Sequence, residues 1–176
     1  DPSNVDPDSE RVRVRNDLKR DEELIAQLDL FATACSRSRI WLGEQTAAAI
    51  IGHVERPKNG EEWHVLGIAN LPALILREIL SVLIMLVGGA SYRPALGKLA
   101  PIMEAGANGQ RLRHAVGRTV VEMRGDTISI LPERPRRNEP ASKSQDAITE
   151  NALDNFRSSA DEPIATALQS VASKSR

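Results

Sequence analysis

The sequence predicts a mainly α protein with a small α+β part: a long helix, further helices, a C-terminal β-hairpin and a disordered tail. Three observations predict it. Aromatic residues make up only 3% of the 176 residues and hydrophobic residues 41%, so packing must rest on Leu, Ile, Val and Ala, which favours helices. Leu18, Leu24, Ile25, Leu28 and Phe31 recur at three- and four-residue spacing, the period of a helix face. β-Branched segments gather around Arg124-Gly125-Asp126, and beyond Pro132 apolar residues thin out in favour of Pro, Ser, Asn, Lys, Glu and Arg. The expected organisation is a loop at 1–16, a helical linker at 17–56, a small α+β domain at 57–132 and a disordered tail at 133–176.

In order along the chain, Asp1-Pro2-Ser3-Asn4 reads as a turn, because Asp-Pro initiates turns and Asn bonds its own backbone. From about Asp17 the pattern becomes helical, with Asp21, Glu22 and Glu23 placed to favour a helix start. It continues through Ile40-Trp41-Leu42 and Ala47, with Gly43 a point for a bend, until the turn Pro57-Lys58-Asn59-Gly60. Trp63 to Ile68 suits a short strand. Pro72 suits a first helical turn, and the apolar run from Ala73 to Val87 is stopped by Gly88-Gly89. Pro94 to Ala105 reads as another helix, and 111–121 with 127–131 as a hairpin. In the tail, only 148–156 carries a weak helical signal.

Composition narrows the function classes. A net charge of −1 argues against a dedicated nucleic-acid binder, so RNA affinity must come from local patches. One cysteine, Cys35, excludes an internal disulfide and fits a reducing compartment. His53, His64 and His114 have no metal-ligand spacing, and no histidine stands near Cys35, so neither zinc nor a Cys–His nucleophile is expected. The apolar run 71–87 is interrupted by Arg77, Glu78 and Ser81 and is short for a bilayer, which predicts a cytoplasmic protein with no membrane partner. The chain opens on a loop motif without methionine, which predicts a piece of a longer protein.

Two basic groups stand out. Arg11, Arg13 and Arg15 alternate beside the Asp1–Asn4 turn; extended, they share one face, and in a helix they fan over about 200°. Either arrangement suits phosphate; the plain alternative is a solvated, charged entry to a helix. Arg111, Arg113, Arg118 and Arg124, opposed by Glu122, form the second group. Arg111 and Arg113 share a strand face, and a hairpin can bring Arg118 and Arg124 within reach of an RNA backbone; the plain alternative is a solvent face. Arg37 and Arg39 read as a solvated face with RNA contact as the alternative, and the tail's Arg134, Arg136 and Arg137 as a flexible basic stub, either inert or raising encounter rates. Trp41 and Trp63 read as core anchors, with Trp63 close enough to a loop to stack on a base.

Asp1-Pro2-Ser3-Asn4-x-Asp6 followed by Arg11 and Arg15 resembles the end of the catalytic domain of tRNA(Ile)-lysidine synthetases. Leu71-Pro72-Ala73-Leu74, Leu86-Val87-Gly88-Gly89, Pro94, Lys98-Leu99 and Gly109 are similar, in the same order, to the family's later helical part. Val116-Gly117-Arg118 and Arg124-Gly125-Asp126-Thr127-Ile128 resemble its terminal hairpin. Departures are Ser9 for an aromatic, Val12 for an asparagine and Arg118 for a glycine. The resemblance implies an ATP-dependent ligase: ATP adenylates the anticodon cytidine of tRNA(Ile) at C2, and the amine of lysine displaces AMP. It makes 1–16 the end of the catalytic domain and 57–132 a substrate-binding domain.

Asp1, Asn4, Arg11 and Arg15 match the motif and would support the active site by holding the target nucleotide. Arg13, Arg111, Arg113, Arg118 and Arg124 would face RNA, although Arg13 also has a simple role in solubility. The Ser-Gly-Gly-x-Asp-Ser loop that would cradle ATP is missing. Val87-Gly88-Gly89-Ala90-Ser91 follows a helix and lacks the aspartate, so it reads as a helix stop. ATP, with Mg, would therefore belong to an absent N-terminal domain, and this chain alone would be inactive. The competing reading is a protein–protein adaptor without RNA affinity, a homodimer through the apolar helix containing Ile79 and Val87.

Overall fold

The computed structural model describes residues 10–18, 21–57, 62–133 and 162–174. Two compact units divide the chain, Asp1–Trp41 and Leu42–Arg176. The first holds α1 (Glu10–Leu18) and most of α2 (Glu22–His53). Asp21 starts α2: its Oδ1 accepts the Leu24 N–H at 2.9 Å, satisfying one of the orphan donors of the first turn. Glu22 and Glu23 follow where negative charge favours a helix N-terminus. The helix runs unbroken through Gly43, the position at which a bend is expected from sequence.

In the second unit, the last part of α2 leads into β1 (Val54–Glu55), β2 (Trp63–Leu66) and a 3₁₀ turn (Ile68–Asn70). Then come α3 (Ala73–Gly88), α4 (Leu96–Ala107), β3 (Leu112–Val116), β4 (Thr119–Arg124), β5 (Thr127–Pro132) and α5 (Glu162–Lys174). The strands form one antiparallel sheet in the order β1-β2-β5-β4-β3. The hairpin expected from sequence is thus part of a three-strand meander, because Gly117-Arg118 turns the chain inside 111–121. Val116 pairs with Thr119, and both turn residues have positive φ, as a type I′ turn requires. Arg118 at φ 63° occupies the position where a glycine would carry no strain.

One sheet face is apolar and one polar, as period-two alternation dictates. Val54, Trp63, Val65, Val116, Val121, Met123, Ile128 and Ile130 are buried on the inner face. α3 lies in that core and is buried from Ile79 through Val87. That overturns the expected dimer surface: the helix containing Ile79 and Val87 is already covered by its own chain. Gly89, at φ 62°, ends α3 with its N–H on Leu86 O and the Ala90 N–H on Met85 O, so Gly88-Gly89 is indeed a helix stop.

The tail departs from expectation in part. Residues 134–161, including Arg134, Arg136, Arg137 and the weak helical signal at 148–156, lie outside the described residues, as do Lys58-Asn59-Gly60 of the expected turn. α5 forms where disorder is expected, because Ile164, Ala165, Ala167, Leu168 and Val171 recur at helical spacing and are buried in the same core. Five small or aliphatic residues spread among Ser, Thr and Lys mask this stripe in a bulk composition.

Trp63 is 1% exposed, with the Arg56 guanidinium 5.6 Å from its ring, which rules out stacking on a base. Trp41 is 55% exposed and is not a core anchor. No helix among the described residues is long and apolar enough to cross a membrane.

Candidate nucleic-acid interface

The outer face of the sheet carries the chemistry. Strand register lines up Arg113, Glu122, Ser129, His64 and Glu55 in one polar row across β3, β4, β5, β2 and β1. Glu122 sits at the basic end of this row and accepts two guanidiniums, Arg113 Nη1 at 3.3 Å and Arg124 Nη2 at 3.0 Å. Both arginines remain open to solvent, at 75% and 80% side-chain exposure, whereas Glu122 is at 21%. Arg111 precedes Leu112, whose partner is Met123, so it falls level with Arg124 and is exposed as well. Two guanidiniums therefore meet one carboxylate, with Arg111 exposed one strand across from Arg124. Set against Glu122 and the turn residue Asp126, the three arginines leave about one positive charge uncompensated at this end of the sheet.

Arg118 does not join them. It occupies the β3–β4 turn, at the other end of β4 from Arg124, about 20 Å away along an extended strand. The four-arginine group legible in the sequence therefore separates into a cluster of three and one distant cation. Exposed pairs such as these contribute at most about 1 kcal/mol each to stability, so they are poorly explained as structural devices.

The rest of the row is quieter. His64 Nδ1 lies 2.9 Å from Ser129 Oγ, and His64 Nε2 lies 3.6 Å from Glu62 Oε1. Sequence reasoning missed this link, whose only trace is that His64 and Ser129 each fall at an outward position of a period-two pattern. Leu66, Val120 and Leu131 are half-buried on the same face, and no aromatic residue stands there among the described residues. Such a face offers phosphate contacts and hardly any base stacking.

Elsewhere, Glu78 holds both Arg77 and Arg93, tying α3 to the loop before α4. His53 Nδ1 donates to Leu66 O at 2.9 Å, and Asp126 Oδ1 accepts the Ala69 N–H at 2.7 Å; both fix the strap between β2 and α3. His114 is half-buried on the inner side of β3, and Cys35 is exposed on α2. Among the described residues no group of three His, Cys, Asp or Glu could hold a metal ion.

In the first unit, α1 places Arg11, Arg13 and Arg15 on a helix, so they fan out instead of sharing the single face of an extended chain. Arg11 and Arg13 are exposed. Asp1 and Asn4, and the side chain of Arg15, lie outside the described residues. Gly88-Gly89 cannot serve as a phosphate cradle: a Cβ on Gly88 would stand 1.9 Å from Gly117 O, so the space is filled by backbone. The Gly88-Gly89 segment does not fit ATP.

No family model and no solved structure matches the chain. It is 30% identical over 152 residues to the tRNA(Ile)-lysidine synthase of Methylobacterium nodulans, an alignment covering 78% of this chain and 44% of that protein. The chain thus spans less than half the length of the curated relative it matches. The similarity supports the family relation that the opening motif and the later helical and hairpin segments suggest.

Proposed function

We propose that this chain is the tRNA-seating part of an ATP-dependent ligase of the tRNA(Ile)-lysidine synthase kind, which joins lysine to C2 of the anticodon cytidine. Two lines support the reading. One is the 30% identity to a tRNA(Ile)-lysidine synthase over most of this chain. The other, which carries it, is the pair Arg113 and Arg124 on Glu122 with Arg111 exposed beside them, a local surplus of exposed guanidinium in a chain of net charge −1. Guanidinium forks at neighbouring strand positions suit successive phosphates of an RNA backbone.

In this reading the chain's part is binding and orientation. Arg111, Arg113 and Arg124 would hold the tRNA backbone, and lysine, ATP and Mg would be handled by the portion of the relative that this chain does not span. Asp1, Asn4, Arg11 and Arg15 keep their proposed role of supporting that catalytic portion. Arg13 and Arg118 lie off the three-arginine cluster and would act as secondary cations. Holding a substrate in register accounts for a large share of enzymatic rate enhancement, so a binding part of this kind would act mainly on orientation.

Filter binding of the chain to tRNA(Ile) at low salt tests the proposal. Binding is expected, and reversing Arg111, Arg113 and Arg124 to Glu should weaken it at least about tenfold. Undiminished binding by the triple variant, with its circular dichroism unchanged, would remove the interface from the sheet face.

A further inference from the structure

Every residue of α2 from Glu22 to Trp41 is exposed, although the helix carries an apolar stripe there. Leu24, Ile25, Leu28, Phe31, Ala32 and Cys35 fall within an arc of about 120° at 100° per residue. Leu24, Leu28 and Phe31 are 39%, 47% and 68% exposed. A helical stretch with no described residue packed on it is marginal in water, because most helix stability in proteins comes from burying one face. The stripe calls for a cover.

Its two ends say which cover. Asp21 and Arg39 both fall within about 20° of the midline of the stripe, eighteen residues or about five turns apart, and bracket its exposed apolar residues with opposite charges. Asp21 uses Oδ1 as the helix cap, which leaves its other oxygen for a partner. Two copies of α2 laid antiparallel would set Asp21 of each against Arg39 of the other, closing both ends of the apolar seam. Laid parallel, they would set like charges together at both ends.

We propose that α2 pairs antiparallel with α2 of a second copy of this chain, through Leu24, Ile25, Leu28, Phe31, Ala32 and Cys35, with Asp21 and Arg39 fixing the direction. Such a contact is isologous and closes as a dimer. The charged ends set orientation, and the apolar seam supplies most of the affinity. With Asp21 opposite Arg39, Ile25 lies opposite Cys35 of the other copy and Leu28 opposite Ala32.

Sedimentation velocity of the full chain and its charge variants tests this. The unsubstituted chain should dimerise, and Arg39→Glu or Asp21→Arg alone should each weaken dimerisation at least about tenfold. An equimolar mixture of the two variants should recover it, since each then meets the opposite charge at both ends. Ile25→Cys should give an intermolecular disulfide with Cys35 on mild oxidation. A chain that stays monomeric throughout overturns the proposal. So does a dimer indifferent to both reversals, or a Cys35–Cys35 disulfide forming readily in the unsubstituted chain, which would mean parallel helices.

Discussion

Gly88 and Gly117 meet backbone to backbone: a Cβ built on Gly88 would lie 1.9 Å from Gly117 O. The contact presses the end of α3 onto the β3–β4 turn, and a Cβ on Gly117 would in turn come within 2.8 Å of Ile84 Cγ2. Alanine at position 88 would gain up to about 1 kcal/mol in helix propensity. Forcing backbone apart costs about 1–3 kcal/mol or more. The clash wins. Gly88→Ala should lower the urea midpoint, for a net loss of about 1–2 kcal/mol.

The same turn offers a gain. Arg118 is held at φ 63° in a type I′ position, where a side chain costs about 1–2 kcal/mol. Glycine also loses more entropy on folding, which returns part of that. Arg118→Gly should therefore stabilise by roughly 0.5–1 kcal/mol, read as a Tm higher by a few degrees. Its tRNA affinity should fall only slightly, by less than the loss of any one of Arg111, Arg113 and Arg124, since Arg118 is a secondary cation away from that cluster.

Thr46 is fully buried, and its Oγ1 has no hydrogen-bond partner among the described residues. A buried hydroxyl without a partner costs about 1–3 kcal/mol of desolvation. Thr46→Val keeps the shape and removes that cost. Thermal denaturation should show a gain of about 1 kcal/mol, and a loss would mean that the hydroxyl is satisfied.

Glu122 moderates the arginines it holds. Replacing it with Gln would free a further unit of positive charge at the basic end of the sheet. Glu122→Gln should tighten tRNA binding several-fold at low salt while changing stability by no more than about 1 kcal/mol.

Much of the fold was legible because it rests on local signals. The helix stop at Gly88-Gly89, the β4–β5 turn at Gly125-Asp126 and the period of α2 each declare themselves within a few residues. What sequence alone missed depends on distant partners. α5 forms because its small stripe fits a core built mainly from residues before 131, and nothing within 162–174 reveals that fit. The expected dimer face on α3 was lost for the same reason: an apolar helix looks alike whether its own sheet or another copy covers it. Trp41 and Trp63 are indistinguishable by type, yet one is exposed and the other sealed. For the site, residue type found the arginines, but only strand register shows that Arg113 and Arg124 converge on Glu122 while Arg118 stands apart.

The salt dependence of tRNA(Ile) binding tests the central claim most directly. Each phosphate contact contributes about 0.7–0.9 to the slope of log K against log salt. The full chain should show a slope of at least about −2, and replacing Arg111, Arg113 and Arg124 with Ala should flatten it by about 2. A slope unchanged by those three substitutions would contradict the account.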